Sequence, residues 1–222
     1  MSGHFITFEG GEGTGKSSHA ELLAQRLRAL GIGLVLTREP GGSPGAEIIR
    51  HVLLSGAAKP LGPDAEAILF AAARDDHVRS MIAPALAQDR WVICDRFIDS
   101  TRVYQGALGH VDLKLIYFLE RITVGSLKPD LTFILDVPAE VGLARAKKRR
   151  GEGQADRFEG ESLEFHQKLR EAYLALAVRE PDRCVAIDTT EPRVSVAMQI
   201  WAVVSQRLDP ATAPVELAGV AS

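Results

Sequence analysis

Apolar and polar positions follow two periods along the chain, and the two periods alternate almost from end to end. Short apolar or β-branched runs, typical of buried strands, occupy His4–Glu9, Ile32–Thr37, Arg90–Asp95, Leu131–Asp136 and Cys184–Asp188. Helical spacing of apolar residues occupies Lys16–Leu30 and residues 45–55, 63–87, 112–126, 138–149, 161–179 and 193–207. Apolar strands separated by helices predict an α/β fold, with a five-stranded parallel sheet covered by helices on both faces.

The ends of the predicted strands indicate where a ligand would bind. Each strand runs into a polar or glycine-rich segment, and Glu9 leads directly into Gly10. Open α/β sheets bind ligands at the carboxyl ends of their strands. We therefore expect one domain over residues 1–207 with its site at this edge. Residues 208–222 show no periodicity and are expected to form a flexible tail.

The composition narrows the class of protein. The 222 residues are 46 % hydrophobic and 25 % charged, with a net charge of −3, which is typical of a globular domain and gives no global basic field for nucleic acid. The longest apolar run, Ala67–Ala73, is too short to span a membrane, and no leader pattern is present. Cys94 and Cys184 have no disulfide or zinc spacing. We expect a cytoplasmic protein without nucleic-acid or membrane partners.

A phosphate-binding loop lies between the first predicted strand and helix. Residues Gly10–Ser17 match the pattern G-x-x-x-x-G-K-[ST]. Its glycines let main-chain N–H groups turn towards a phosphate, and the positive end of the next helix adds to the attraction. Lys16 is expected to neutralise the β- and γ-phosphates of a nucleotide, and the Ser17 hydroxyl to bind Mg²⁺. The expected ATP contacts are Gly10, Gly11, Glu12, Gly13, Thr14, Gly15, Lys16, Ser17 and Ser18.

An acid followed by an arginine ends the third predicted strand. Asp95 is placed to complete the Mg²⁺ shell, and Arg96 can bind a second phosphate through two N–H groups. This pair favours phosphoryl transfer to another phosphate over hydrolysis. The base-reading motif of GTPases, Asn/Thr-Lys-x-Asp, is absent from the sequence. A P-loop ATPase or nucleotide switch stays open as an alternative, and a surface ion pair stays open for these two residues.

Further blocks follow in a set order. They are Thr37–Gly42, Leu69–Arg74, Asp95–Thr101 with Tyr104–Gly106, Pro129–Thr132 and Asp156–Glu159. With the phosphate loop and its acid, this set resembles the thymidylate kinases over about residues 3–192. The resemblance implies a P-loop nucleoside monophosphate kinase fold with a short lid, a homodimer, and transfer of the γ-phosphoryl group of Mg·ATP to dTMP. Another nucleoside or deoxynucleoside monophosphate kinase stays open as an alternative.

The resemblance implies a binding site for the thymine base. Phe70 resembles the ring on which thymine stacks, although alone it could be a core aromatic. Arg74 lies one helical turn later on the same face and resembles the donor to a carbonyl group of the base. The wall around the base and sugar is implied to be Thr101, Tyr104 and Gln105.

The resemblance also implies a binding site for the dTMP phosphate and sugar. Arg38, Arg50 and Arg96 resemble the arginines that bind the phosphate, and Glu39 resembles the acid beside it. Arg50 could instead be a solvated helix arginine. Glu12 resembles the carboxylate that meets the sugar 3′-hydroxyl. The sequence departs from the family at two positions: Phe97 replaces the usual tyrosine, and Thr101 replaces a frequent serine.

Arg145–Arg150 carries five positive charges in six residues and is followed by Gly151. A basic segment beside a glycine hinge is typical of a lid, although a cationic helix end or a nucleic-acid patch would have the same charge. The resemblance implies a lid over about residues 145–158 that carries the catalytic arginine, because Gly13 occupies the loop position where other thymidylate kinases carry arginine. Arg149 is the first candidate. The alternates are Arg145, Arg150 and Arg157, and the implied catalytic set is Lys16, Glu12, Arg96 and Arg149.

Overall fold

The strands form one sheet, as the sequence predicts. The computed structural model describes residues 3–151 and 157–210. Its five strands are all parallel and lie in the order β2-β3-β1-β4-β5. They are β1 Phe5–Glu9, β2 Leu34–Arg38, β3 Trp91–Asp95, β4 Leu131–Asp136 and β5 Cys184–Asp188. Each predicted strand boundary lies within two residues of the observed one, so the five-stranded α/β fold is confirmed.

Helices connect the strands on both faces of the sheet. In the described residues they are α1 Lys16–Ala29, α2 Pro44–Leu54, α3 Pro63–His77, α4 Ala83–Leu86, α5 Ile98–Thr101, α6 Leu113–Thr123, α7 Ala139–Arg150, α8 Leu163–Arg179 and α9 Arg193–Leu208. A short 3₁₀ turn occupies Lys59–Leu61, and π-helical turns occupy Val78–Ile82 and Arg102–Leu108.

Two helical segments differ in detail from the prediction. The helix expected over residues 63–87 is interrupted by the π turn, because Pro84 has no N–H to continue the α-helical ladder. The helical segment over residues 98–108 was not predicted, since polar Asp99, Ser100 and Thr101 favour caps and turns over helix interiors. Leu208, which was assigned to the tail, is the last residue of α9. The rest of the predicted tail from residue 211, and residues 152–156 of the predicted lid, lie outside the described residues.

The core has two layers, one on each face of the sheet. Ile6 and Phe8 of β1 pack towards α1 and α9, whereas Phe5 packs on the opposite face against Phe97, with the rings edge-on at 4.9 Å. Phe97 is fully buried, so its ring packs in the core without the hydroxyl of the usual tyrosine. Since side chains alternate along a strand, Glu9 points to the same face as Phe5, where α5 and α8 lie.

The strand register brings several predicted site residues to one edge of the sheet. Asp95 at the end of β3 pairs with Phe8 of β1 on one side and with Arg38 of β2 on the other. The phosphate loop follows β1 directly, so the loop, Arg38 and the Asp95–Arg96 pair meet at the carboxyl ends of the strands. Within residues 3–151 and 157–210, no helix is both long enough and apolar enough to cross a membrane.

Candidate active site

One cavity of about 380 Å³ opens at the carboxyl edge of the sheet. The predicted site residues that line it are Glu12, Gly13, Gly15, Lys16, Ser17, Ser18, Arg38, Glu39, Arg50, Phe70, Arg74, Asp95, Arg96, Thr101, Tyr104, Gln105 and Arg149. The other three, Gly10, Gly11 and Thr14, line a smaller cavity on the far side of the phosphate loop. The structure therefore brings together every residue that was assigned to dTMP and most of those that were assigned to ATP.

The phosphate loop is held by its own main chain and by α7. Gly13 and Gly15 have φ angles of +67° and +92°, which side-chain-bearing residues rarely adopt. A Cβ atom on Gly13 would lie 1.9 Å from the carbonyl oxygen of Gly142 in α7. The Lys16 ammonium curls back over the loop and donates to the Gly11 carbonyl at 2.6 Å. Close packing against α7 thus requires glycine at position 13.

Lys16 lies in a buried and charged environment. Burial, with Arg96 adding to it, lowers the pKa of Lys16 to about 8, while Glu12 and Asp95 act in the opposite direction. A nearby anion favours the charged form of an amine. Bound phosphates would therefore hold Lys16 in its charged form.

Ser17 and Asp95 form an oxygen pair at the base of the phosphate loop. The Ser17 hydroxyl donates to the Asp95 carboxylate, and both residues line the cavity. No group of three His, Cys, Asp or Glu side chains in the described part of the chain is arranged as a metal site. Mg²⁺ commonly takes only one or two protein oxygens and completes its shell with water and phosphate oxygens. The pair therefore fits a divalent cation that binds together with a nucleotide.

Arg96 is fixed at one end of its guanidinium group and open at the other. Nη1 donates to the Gly10 carbonyl at 3.1 Å and to the hydroxyls of Ser100 and Tyr173, each at 3.3 Å. Nη2 donates to Glu12 Oε1 at 2.7 Å. Among the described residues, Nε and the second N–H of Nη2 make no hydrogen bond, and Arg96 lines the cavity. Two donors are therefore available to an anion.

Glu12 is ionised beside this guanidinium group. Burial opposes the charge, but Arg96, Lys16 and Arg149 outweigh it and lower the pKa of Glu12. Its Oε1 atom also accepts from the Tyr104 hydroxyl at 3.3 Å. The carboxylate of Glu12 thus lies near the positive charges of Lys16, Arg96 and Arg149, and it contacts Tyr104 of the predicted wall around the sugar.

Arg74 and Glu39 form a buried ion pair in the wall of the cavity. Arg74 Nε donates to Glu39 at 2.7 Å, and Nη2 donates to the Phe97 carbonyl and the Thr101 hydroxyl, each at 3.1 Å. His77 binds the other carboxylate oxygen of Glu39 at 3.0 Å. Nη1 of Arg74 makes no hydrogen bond among the described residues. Nη1 is therefore the nitrogen of Arg74 that remains available to donate to a base.

Phe158 is a cavity residue to which the sequence analysis assigned no role. Its ring lies 5.1 Å from that of Tyr104 and 6.2 Å from that of Phe70, so three aromatic rings line the part of the cavity where a base is expected. The preceding residue, Arg157, binds both carboxylate oxygens of Glu66 in α3 at 2.8 and 3.3 Å. The contacts of Phe158 and Arg157 are distant in sequence, and the signal for Phe158 was its place in the block Asp156–Glu159, beside the basic segment.

The four lid arginines have different surroundings. Arg149 and Arg150 donate to the two oxygens of Glu159 at 2.9 and 2.6 Å. Of the four, only Arg149 lines the cavity, and its side chain is 64 % exposed. Arg145 donates to the Thr189 carbonyl at 3.0 Å, and Arg157 is held by α3 as described above. These positions favour Arg149 over the alternates.

Arg38 and Arg50 lie at the open side of the cavity. Arg38 donates to Glu47 at 3.0 Å and is half exposed, and Arg50 donates to the Pro40 carbonyl at 2.5 Å. Both side chains therefore have partners in the protein while they line the cavity. Their position is compatible with contact to an anion bound at Arg96.

Glu9 is a second residue to which the sequence analysis assigned no role. It is fully buried behind the cavity wall. Burial and the nearby charge of Asp99 raise the pKa of Glu9 to about 7, against the opposing effects of its hydrogen bonds and Arg96. The period of two along β1 indicated the face to which it points, but its partners lie on α5 and α8 and could not be read from the sequence.

Comparison with known proteins identifies close relatives. A family model described as thymidylate kinase matches residues 8–200. The chain is 60 % identical over 213 residues to the thymidylate kinase of Bradyrhizobium diazoefficiens, with 96 % of this chain and 93 % of the relative covered. It is 61 % identical over 207 residues to the thymidylate kinase of Rhodopseudomonas palustris strain BisB18, with 93 % and 90 % covered.

A solved structure agrees with these sequence matches. The crystal structure of thymidylate kinase from Ehrlichia chaffeensis superposes with a TM-score of 0.73 at 32 % identity. The match covers 92 % of this chain and 99 % of that one.

Proposed function

The chain belongs to the thymidylate kinase family and transfers the γ-phosphoryl group of ATP to dTMP, giving dTDP, and from this premise we propose which of its residues do so. The family decides against the ATPase, the nucleotide switch and the other monophosphate kinases that the sequence left open. The observation that carries the proposal is that the phosphate loop and Arg96, with its open donors, line the same cavity. One phosphate group binds to main-chain amides and Lys16, and the next binds to guanidinium groups.

The transfer itself requires positioning and charge neutralisation. An oxygen of the dTMP phosphate supplies the electron pair for the new O–P bond, and the bond from the γ-phosphorus to the β–γ bridging oxygen breaks with its electrons leaving on ADP. Lys16 balances charge on the donor side and Arg96 on the acceptor side, while Arg149 reaches the cavity from the end of α7. No covalent enzyme intermediate is required.

We propose that Mg²⁺ is the divalent cation with which this kinase uses ATP, held by the Ser17 hydroxyl and the Asp95 carboxylate. Both are hard oxygen ligands at the base of the phosphate loop. When bound, the ion would neutralise charge on the phosphate oxygens. Chelation of divalent ions is expected to abolish ADP formation and Mg²⁺ to restore it; full activity in excess chelator would contradict the assignment.

The thymine base is proposed to stack on Phe70, with Arg74 Nη1 directed at a base carbonyl. Phe158 and Tyr104 would then enclose the base from the other sides. Base–aromatic stacking is worth about 1–3 kcal/mol.

The variant Phe70→Ala is expected to raise the KM for dTMP roughly 10- to 100-fold, because the stacking surface is lost. The KM for ATP should change less than about twofold, since the phosphate loop is untouched. Steady-state rates with each substrate varied in turn give both values. An unchanged KM for dTMP would remove Phe70 from the base site, and an equal rise in both constants would indicate general damage to the fold.

We further propose that the protein is a homodimer that pairs through α6. Four large apolar side chains of this helix are about half exposed: Leu113, Tyr117, Phe118 and Ile122. Ile68, on the neighbouring helix α3, is also half exposed. An apolar face of this kind on one helix is typical of an interface. The variant Tyr117→Glu is expected to halve the mass measured by light scattering. The matched control Val178→Glu, at an exposed position on α8, should leave the mass unchanged. A Tyr117→Glu variant that is still a dimer would contradict the proposal that α6 forms the interface.

A further inference from the structure

A buried carboxylate behind the cavity wall takes no part in the steps described above. Glu9 is the last residue of β1, and its side chain is fully buried. It accepts a hydrogen bond from the main-chain N–H of Phe97 at 2.7 Å. Its other oxygen accepts from the hydroxyls of Ser100 at 2.6 Å and Tyr173 at 3.1 Å. One carboxylate therefore connects the strand to α5 and α8.

The carboxylate of Glu9 gives the protons of two neighbouring hydroxyl groups a common acceptor. Each hydroxyl has one proton, and an ionised carboxylate only accepts. When Glu9 is ionised, both Ser100 and Tyr173 can donate to it, and their oxygens, which lie 2.9 Å from each other, then present lone pairs elsewhere. Those oxygens accept from Nη1 of Arg96, each at 3.3 Å. The carboxylate thus orients the acceptors that hold one end of this guanidinium group.

The main chain at Arg96 depends on the same carboxylate. Arg96 has a φ angle of +70°, which is uncommon for any residue other than glycine. The hydrogen bond from Phe97 N–H to Glu9 is formed immediately after this residue, and that from Arg96 N–H to the Phe8 carbonyl, at 2.9 Å, is formed at it. The unusual turn and the side chain that it presents are therefore stabilised from the end of β1.

We propose that Glu9 is a positioning residue of the acceptor site, which holds the Arg96 guanidinium group through Ser100, Tyr173 and the Phe97 amide so that its two open donors face the dTMP phosphate. The inference rests on the proposed role of Arg96 in binding that phosphate. Glu9 itself does not touch the substrate. Its effect is expected in the binding of dTMP and in turnover, and not in the binding of ATP.

The variant Glu9→Gln tests this arrangement. The amide keeps one acceptor oxygen and replaces the other with an NH₂ donor. In one orientation this donor faces the Phe97 N–H, and in the other it donates to the Ser100 and Tyr173 hydroxyls instead of accepting from them. Either the turn at Phe97 loses its acceptor, or the Ser100 and Tyr173 protons turn away from residue 9, towards Arg96 or towards each other. We expect the KM for dTMP to rise about tenfold, turnover to fall, and the KM for ATP to stay within about twofold.

Two further variants keep the test decisive if Glu9→Gln folds poorly. Tyr173→Phe removes one of the oriented hydroxyls and leaves the carboxylate in place, and it is expected to raise the KM for dTMP in the same way by a smaller factor. Thr7→Val is the matched control, because Thr7 is buried on the same face of β1 and binds Thr132 at 2.8 Å, and among the described residues its side chain makes no hydrogen bond to Arg96, Ser100 or Tyr173. Its KM for dTMP should stay within about twofold.

The double variant Glu9→Gln/Arg96→Ala separates positioning from a structural role. If Glu9 acts through Arg96, the double variant has about the same KM for dTMP as Arg96→Ala alone. Effects that multiply, or an unchanged KM for dTMP in both Glu9→Gln and Tyr173→Phe, would overturn the inference while leaving the proposed function intact. An unchanged KM for dTMP in Arg96→Ala would overturn the proposed phosphate site, and the inference with it.

Discussion

Replacing Arg149 with alanine is expected to lower turnover at least about 10²-fold with little change in the KM for ATP, because this side chain supplies mobile positive charge to the transferring phosphoryl group. Of the four lid arginines, it alone lines the cavity, and it contributes to the lowered pKa of Glu12. ADP release at saturating ATP and dTMP measures the turnover.

The neighbouring variant Arg150→Ala is the matched control. Arg150 binds the same carboxylate, Glu159, but does not line the cavity. Its turnover should stay within a few-fold of the wild-type value. Near-normal turnover in Arg149→Ala, combined with a large loss in Arg150→Ala, would transfer the catalytic role to the second arginine.

The variant Gly13→Ala is expected to reduce turnover by about 10²-fold or more, and to lower the free energy of unfolding by roughly 1–3 kcal/mol. The added Cβ would lie 1.9 Å from the Gly142 carbonyl oxygen, where the neighbouring group is main chain and cannot rotate away. Either the phosphate loop or α7 must move by about 1 Å, and a misplacement of that size is costly in an active site. Turnover and urea denaturation measure the two effects.

Gly125→Ala controls for the backbone strain in that experiment. Gly125 has a φ angle of +62°, close to the +67° of Gly13, but a Cβ there would meet no atom within 4 Å. The Gly125→Ala variant should therefore be slightly less stable than the wild-type protein and equally active. Equal losses in the two variants would show that the φ angle, and not the contact with α7, is the reason for glycine at position 13.

The strands and most helices could be predicted because their signal is local. Hydrophobic period and glycine-rich strand ends placed all five strands within two residues. The helical segment over residues 98–108 escaped prediction, since its polar residues are held by long-range partners. Asp99, for example, is fully buried and binds Arg183 at 2.7 and 2.8 Å, a contact between α5 and the start of β5 that no local pattern reveals.

The candidate site shows the same division between local and distant signals. The phosphate loop and the Asp95–Arg96 pair carry their chemistry in short motifs, and the resemblance to a family supplied the acceptor residues. Glu9 and Phe158 were missed because their roles depend on contacts across more than 50 residues, to Tyr173 and to Phe70. The need for glycine at position 13 likewise depends on α7, which lies far along the chain.

A crystal structure of the wild-type protein with bound dTMP would show whether the acceptor phosphate binds at Arg96, in the cavity that the phosphate loop also lines. We expect the thymine ring to lie against Phe70 at about 3.5–4 Å, the contact distance of stacked carbon atoms, with the phosphate on the open donors of Arg96. A base bound away from Phe70, or a phosphate that does not contact Arg96, would contradict this expectation.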